Sequence, residues 1–124
     1  MLQAAPVYPK LKREQSKDSH LLVIDPADIH IGKLATAFET GDAYDVKIAS
    51  DRVHEGVQGI LDKTSSFNID QILFIGGNDI LHTDNARRRT TSGTPQDTDG
   101  MWYENYLTAK DVIVEVLEKL ITVA

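Results

Sequence analysis

An aspartate and a histidine stand two residues apart, at Asp28 and His30, shortly after an apolar run that ends at Ile24. In extended backbone, side chains at i and i+2 point the same way, so this carboxylate and this imidazole can converge on one cation. Asp79 follows a second apolar run and could add a third ligand. Mixed carboxylate and imidazole ligation suits a borderline divalent ion such as Mn²⁺, Fe²⁺ or Zn²⁺. These three residues are therefore the candidate metal ligands.

Two further polar residues follow the second apolar run and are candidates to bind metal or substrate. Asn78 adjoins Asp79, and His82 lies shortly beyond. Taken alone, Gly-Gly-Asn-Asp is an ordinary turn with side-chain hydrogen bonds, and a lone loop histidine is more often a packing residue. The combination favours a site, because each motif directly follows one of the only two buried-strand signals in the sequence.

The two motifs together resemble the signatures of the calcineurin-like metallophosphoesterases. Asp28-Ile29-His30-Ile31-Gly32 is similar to the first signature, Asp-x-His-x-Gly after the first strand. The segment from Ile72 to Asn85 resembles the second, in which an apolar strand leads into Gly-Asp and then to His or Asp. The resemblance covers about residues 20–124, and it is most like the DNA-repair exonuclease branch and phage-borne relatives.

This resemblance implies a phosphoesterase with two divalent metal ions, of which Mn²⁺ is the expected one. Asp28 and His30 would bind the first metal, and Asp79 would bridge to the second. A metal-activated hydroxide would then attack the phosphorus of a phosphodiester or phosphomonoester, with nucleic acid or a nucleotide as the expected substrate. The family shows Gly-Asp where this sequence inserts Asn78. A neutral amide would hold two cations poorly, so Asp79 is the preferred bridge.

A second departure from the family concerns its later signatures, Gly-Asn-His-Asp/Glu and Gly-His-x-His, which do not occur in the 124 residues. They would supply the second metal's other ligands and the histidine that assists the leaving group. We therefore expect the chain to be the N-terminal portion of a metallophosphoesterase-type αββα sandwich whose C-terminal part is missing. We also expect it to be inactive on its own.

A run of three arginines, Arg87, Arg88 and Arg89, is the one concentrated basic spot in the chain. It could bind phosphates bidentately, or it could be an ordinary solvated loop. The alternative function is a non-catalytic α/β module that binds phosphate or nucleic acid through these arginines. A phosphotransferase with an aspartate nucleophile is disfavoured, because Asp28 and His30 stand where that class has Asp-x-Asp.

Two apolar runs predict the strands that position these residues. His20–Ile24 stops at Asp25-Pro26, and Gln71–Ile75 stops at Gly76-Gly77. Unbroken apolar runs of this length are typical of parallel strands buried on both faces.

Two helices are predicted from apolar residues that recur every three to four positions. The first runs from Val46 to near Ser65, with Asp45 as the N-cap. The second spans about residues 103–121. Its expected buried stripe consists of Tyr106, Val112 or Ile113, Val116, Leu117 and Leu120.

The order of these elements predicts an α/β fold with a parallel βαβα arrangement, in which ligands bind beyond the carboxyl ends of the strands. Residues 1–20 are expected to form an N-terminal arm, and residues 21–124 the N-terminal part of the catalytic domain. A sheet of two strands exposes edges and apolar faces, so homo-association is a further expectation.

Composition excludes several classes of protein. The chain has no Cys, which excludes a disulfide scaffold, a Cys-based zinc site and a Cys nucleophile. No apolar run suits a membrane span or a signal peptide, so we expect a cytoplasmic protein with no membrane partner. The net charge of −6 argues against a simple electrostatic nucleic-acid binder. The acids include 13 Asp and only 6 Glu, a bias that favours caps, turns and metal sites.

Overall fold

Two parallel strands and three helices make up the fold in the computed structural model, which describes residues 7–8, 17–83, 85–89 and 92–124. The expected arm over residues 1–20 lies largely outside the described residues. In chain order the elements are β1 (Ser19–Ile24), α1 (Ala37–Thr40), α2 (Val46–Lys63), β2 (Asn68–Phe74) and α3 (Trp102–Leu120).

The sheet pairs β1 with β2 in parallel, with Ser19 opposite Asn68 at one end and Ile24 opposite Phe74 at the other. The register shifts once, between His20 and Leu21. Parallel pairing requires a crossover connection, and α2 lies within it. The predicted α/β class with a parallel sheet is therefore confirmed.

The prediction that both strands are buried on both faces is wrong for the described chain. Ile24 packs into the core, and Leu22, Ile72 and Phe74 pack against the same cluster. The alternate side chains stay exposed: Leu21 at 55%, with Val23 and Leu73 both at 49%. Successive strand residues point to opposite faces, so the helices cover one face of this sheet and leave an apolar face open.

Helix α2 begins where the sequence predicts, because the carboxylate of Asp45 accepts a hydrogen bond from the amide of Ile48 at 2.7 Å. This bond satisfies one of the amide groups that a helix start leaves without a partner. The helix ends at Lys63, slightly before the expected Ser65. The segment between β1 and α2 contains the short helix α1, whose C-cap is Gly41 with a φ of 81°.

The buried stripe of α3 agrees with the prediction only in part. Tyr106 is 56% exposed and Leu117 is 39% exposed. Val112, Val116 and Leu120 are buried as predicted, and Asn105 and Ala109 are buried in addition. Asn105 is buried because its side chain packs against Gly32 in the loop after β1 and donates to the carbonyl of Asp99, contacts that hydrophobic periodicity does not anticipate.

Among the described residues the core consists of two clusters, one behind the sheet and one behind the loop that follows β1. The first contains Ile24, Val57, Val116 and Leu120. The second contains Ile29, Ile31, Ala49 and Ala109, so the same two helices support both. In the part of the chain that the structure describes, no helix is both long and apolar enough to cross a membrane.

Candidate metal centre

The loops that follow β1 and β2 remain hydrogen-bonded to each other beyond the ends of the strands. The amide of Asp28 donates to the carbonyl oxygen of Asn78 at 3.0 Å, and the amide of His30 donates to that of Asp79 at 2.9 Å. Ile31 then forms a parallel bridge with Leu81. These main-chain contacts bring the two predicted motifs together at the carboxyl ends of the strands.

The side chains of Asp28, His30 and Asp79 converge at this point. Each offers one ligand atom, and the three atoms all lie within 4.8 Å of one another. Nε2 of His30 lies 3.9 Å from Oδ1 of Asp28. Both aspartates are exposed, whereas His30 is half-buried. All three ligands that the sequence predicts therefore face a common point.

The donor set suits a divalent cation. Nδ1 of His30 is buried and has no hydrogen-bond partner among the described residues. A buried polar atom without a partner is unfavourable. A cation could be bound by Nδ1 itself or by Nε2, the nitrogen that faces Asp28. Two carboxylates with one imidazole are ligands that Mn²⁺, Fe²⁺ and Zn²⁺ accept. The residues present thus fit such an ion.

The backbone at these positions is left-handed rather than extended. The φ angles of Asp28, His30, Asn78 and Asp79 are 55°, 50°, 49° and 54°. The expectation that Asp28 and His30 converge through extended backbone is therefore wrong, although their side chains do meet. Asp, Asn and His tolerate this conformation better than other residues with a side chain, but it still costs free energy. Such backbone is concentrated at functional sites more often than elsewhere.

The two remaining candidates at the strand ends hold different positions. Asn78 is exposed and supplies its main-chain carbonyl to Asp28. His82 packs its ring edge-on against that of His30, with the centroids 5.5 Å apart. Burial lowers the pKa of His82, and the electrostatic effect of the neighbouring His30 and Lys33 lowers it further. A neutral imidazole therefore stands beside His30 at neutral pH.

The three arginines lie on a loop organised by Asn85. Its side chain accepts from the amide of Arg87 at 3.0 Å and donates to the carbonyl of Arg89 at 2.9 Å. All three arginines are exposed, and two cavities that Asp28 lines in the described part of the chain do not include them. No described contact joins them to the candidate ligands, so their role in phosphate binding stays a prediction. Asp84, Thr90 and Thr91 of the same loop lie outside the described residues.

Asp99 holds the first ligand loop in place, and the sequence analysis did not identify it. Its amide donates to the carbonyl of Gly32 at 2.8 Å, and its carboxylate accepts from the amide of Val46 at 3.2 Å. Its carbonyl accepts from Nδ2 of Asn105 at 2.8 Å. Asp99 thereby connects the loop after β1 with the starts of α2 and α3. The sequence contains one indirect signal of this contact. Asn105, the hydrogen-bond partner of Asp99, is a polar residue at a helical position that the buried apolar residues of α3 share.

Tyr44 is a second support that the sequence analysis missed. Its hydroxyl donates to the carbonyl oxygen of Ile29, which lies between the two ligands of the first motif. Its main chain forms an antiparallel bridge with Ala35. Burial raises the pKa of Tyr44, so the hydroxyl keeps its proton and remains a donor.

Comparison with models of protein families, with curated proteins and with solved structures gives no match.

Proposed function

We propose that this chain carries half of the metal centre of a two-metal phosphoesterase. The observation that carries the proposal is the convergence of Asp28, His30 and Asp79 to within 4.8 Å at the carboxyl ends of two parallel strands. Ligand sites in open α/β sheets lie at this edge. The substrate would be a phosphodiester or phosphomonoester, of nucleic acid or of a nucleotide.

The roles of the residues follow from their chemistry. Asp28 and His30 would hold the first ion, and the Asp79 carboxylate has a second oxygen with which to bridge to another. Bound ions of this kind lower the pKa of a water molecule and polarise a phosphoryl oxygen. His82, held neutral beside His30, adds no positive charge that would repel the ions and can hydrogen-bond to substrate.

We further propose that additional strands complete the domain as the αββα sandwich that the sequence resembles. Two features support this. Leu21, Val23 and Leu73 leave one face of the sheet apolar and open, a face that parallel sheets bury. The ligands of the second ion and the histidine for the leaving group also have no counterpart among the motifs of this sequence. The chain alone is therefore expected to bind one ion weakly and to show no turnover.

Titration of the chain with Mn²⁺, followed by isothermal calorimetry, tests the metal site. We expect one site, with a dissociation constant that rises at least about tenfold in Asp79→Asn, because the variant loses the charge that attracts the ion. Asp62→Asn is the matched control, because Asp62 is an exposed carboxylate in the last turn of α2. Equal affinity of the two variants for Mn²⁺ would contradict the proposal.

A second candidate function uses the exposed arginines. Arg87, Arg88 and Arg89 are all open to solvent on one loop, which favours contact with a phosphate backbone without any metal. This function predicts oligonucleotide binding that persists in chelator and weakens steeply with salt. The metal-dependent function predicts that chelator abolishes specific binding, so measuring affinity with EDTA at two salt concentrations distinguishes them.

A further inference from the structure

A cavity beside the candidate ligands contains two cationic side chains that the metal centre does not use. Its volume is about 300 Å³, and Asp28 and His30 line it together with Lys33, Tyr44 and Arg52. This volume is at the lower end of the range for ligand pockets and suits a phosphate with part of a sugar. The cavity therefore adjoins the site where the reacting phosphate would bind.

The ring of Tyr44 fixes the two cations relative to the metal ligands. Nζ of Lys33 lies 5.8 Å from the centre of this ring, and Cζ of Arg52 lies 5.3 Å from it. Both distances are within the range of attraction between a cation and an aromatic face. Because the hydroxyl of Tyr44 donates to the carbonyl of Ile29, the ring is tied to the peptide between Asp28 and His30.

The charges in the cavity balance without a metal and become positive with one. Arg52 pairs with Asp42, with Nη2 and Oδ2 2.7 Å apart. Lys33 forms no salt bridge with any residue in the described ranges. Two cations and two carboxylates, Asp28 and Asp42, therefore line the cavity. A divalent ion bound at Asp28 would neutralise one carboxylate and leave an excess of positive charge, which attracts an anion.

We propose that Lys33 and Arg52 form an anion subsite that holds a second phosphate of the substrate while the reacting phosphate lies at the metal ligands. This inference rests on the proposed function, because the subsite acts next to Asp28 and His30. It favours a polynucleotide chain, whose backbone repeats the phosphate, over a substrate with a single phosphate. An aryl phosphate has no group to fill the subsite.

Binding of thymidine dinucleotides to the ¹⁵N-labelled full chain, followed by NMR titration with and without Mn²⁺, tests this subsite. The three probes are the bare dinucleotide and the same dinucleotide with an added phosphate at its 5′ or its 3′ end. We expect the added phosphate at one of the ends to lower the dissociation constant about tenfold, as charge-assisted hydrogen bonds do.

Substitutions assign the effect to the two cations. Lys33→Met with Arg52→Met keeps the apolar stems against Tyr44 and should abolish the preference for the added phosphate. Lys63→Met with Lys110→Met removes two exposed positive charges elsewhere and should retain it. Asp42→Asn frees Arg52 from its salt bridge and should strengthen the preference. A purely structural role for the cations predicts no change in preference in any of these variants.

Two results would overturn the subsite: equal affinity of the wild-type chain for all three dinucleotides, or a preference that survives in the Lys33→Met, Arg52→Met variant. These results are distinct from failure of the proposed function, which is absence of Mn²⁺ binding in the same samples. If the chain does not bind Mn²⁺, the proposed function fails. A preference for the added phosphate would then show an anion site that has no part in a metal-dependent reaction. Binding of Mn²⁺ together with a preference that depends on Lys33 and Arg52 supports both proposals.

Discussion

Asn105 lies directly against Gly32, so that a Cβ atom at residue 32 would be 2.3 Å from Nδ2 of Asn105. Gly32 has a φ of +96°, a conformation that residues with a side chain rarely adopt. Asn105 is only 3% exposed, and the same Nδ2 donates to Asp99. Helix α3 therefore contacts the backbone of the loop that carries His30 at a position where only glycine fits.

Gly32→Ala is expected to lower the free energy of unfolding by about 2–4 kcal/mol, since it combines unfavourable φ with overpacking against a buried amide. Urea unfolding measures this loss. Gly41→Ala is the matched control, because its φ is +81° and its Cβ would meet nothing within 4 Å. The control should lose about 1 kcal/mol from the conformational effect alone. Equal losses would show that the contact with Asn105 contributes nothing.

His82 should make the stability of the metal-free protein depend on pH. Its pKa is lower in the folded chain than in the unfolded chain, where it is about 6.5, so unfolding takes up a proton between the two values. The stabilisation is fully present above pH 6.5 and is lost as the pH falls through this window.

Urea unfolding in EDTA at pH 7.5 and at pH 5.5 measures this effect. His82→Gln should lose less stability between the two pH values than the wild type does. The same loss in both proteins would contradict the assignment to His82.

Gly59→Ala is expected to stabilise the protein by about 0.5–1 kcal/mol, because alanine is the better helix former and restricts the unfolded chain. Gly59 lies inside α2, and a Cβ there would meet nothing within 4 Å. Thermal unfolding should show the increase as a higher Tm. A lower Tm would contradict the finding that the space around Gly59 is open.

The open face of the sheet should cause self-association of the chain. Leu21 and Leu73 project from this face at 55% and 49% exposure. Replacing both with Thr keeps residues that favour strands while reducing the exposed apolar area. Sedimentation velocity at increasing concentration should show a smaller oligomeric fraction for this variant. Leu107→Thr, at a 50% exposed position on α3, is the control and should associate as the wild type does.

The sequence was sufficient to predict the parallel sheet, the two long helices and the meeting of Asp28, His30 and Asp79. Local signals determine these features: apolar runs define the strands, Asp45 defines the start of α2, and parallel pairing brings the two strand ends together. The site residues follow because polar motifs stand directly after each strand.

The supports of the site could not be predicted from local signals. Asp99 and Tyr44 act through contacts with residues far away in the sequence, and both lie in segments without apolar periodicity. Asn105 is buried on α3 against Gly32, a contact that the distribution of apolar residues along the helix does not indicate. Burial of both sheet faces was predicted from the unbroken apolar runs, but no described element covers the second face.

The role of Asp99 as a connection has a consequence for the order of folding. The loop after β1 is secured by residues near the start of α3, which are distant in the sequence, and such non-local contacts form late because their loops cost more entropy to close. We expect the ligand loop to become ordered only when α3 docks, so that both open and close as one cooperative unit. Native-state hydrogen exchange should then give the amides of His30 and Val116 the same opening free energy. An independent, lower value for His30 would show that the loop orders separately.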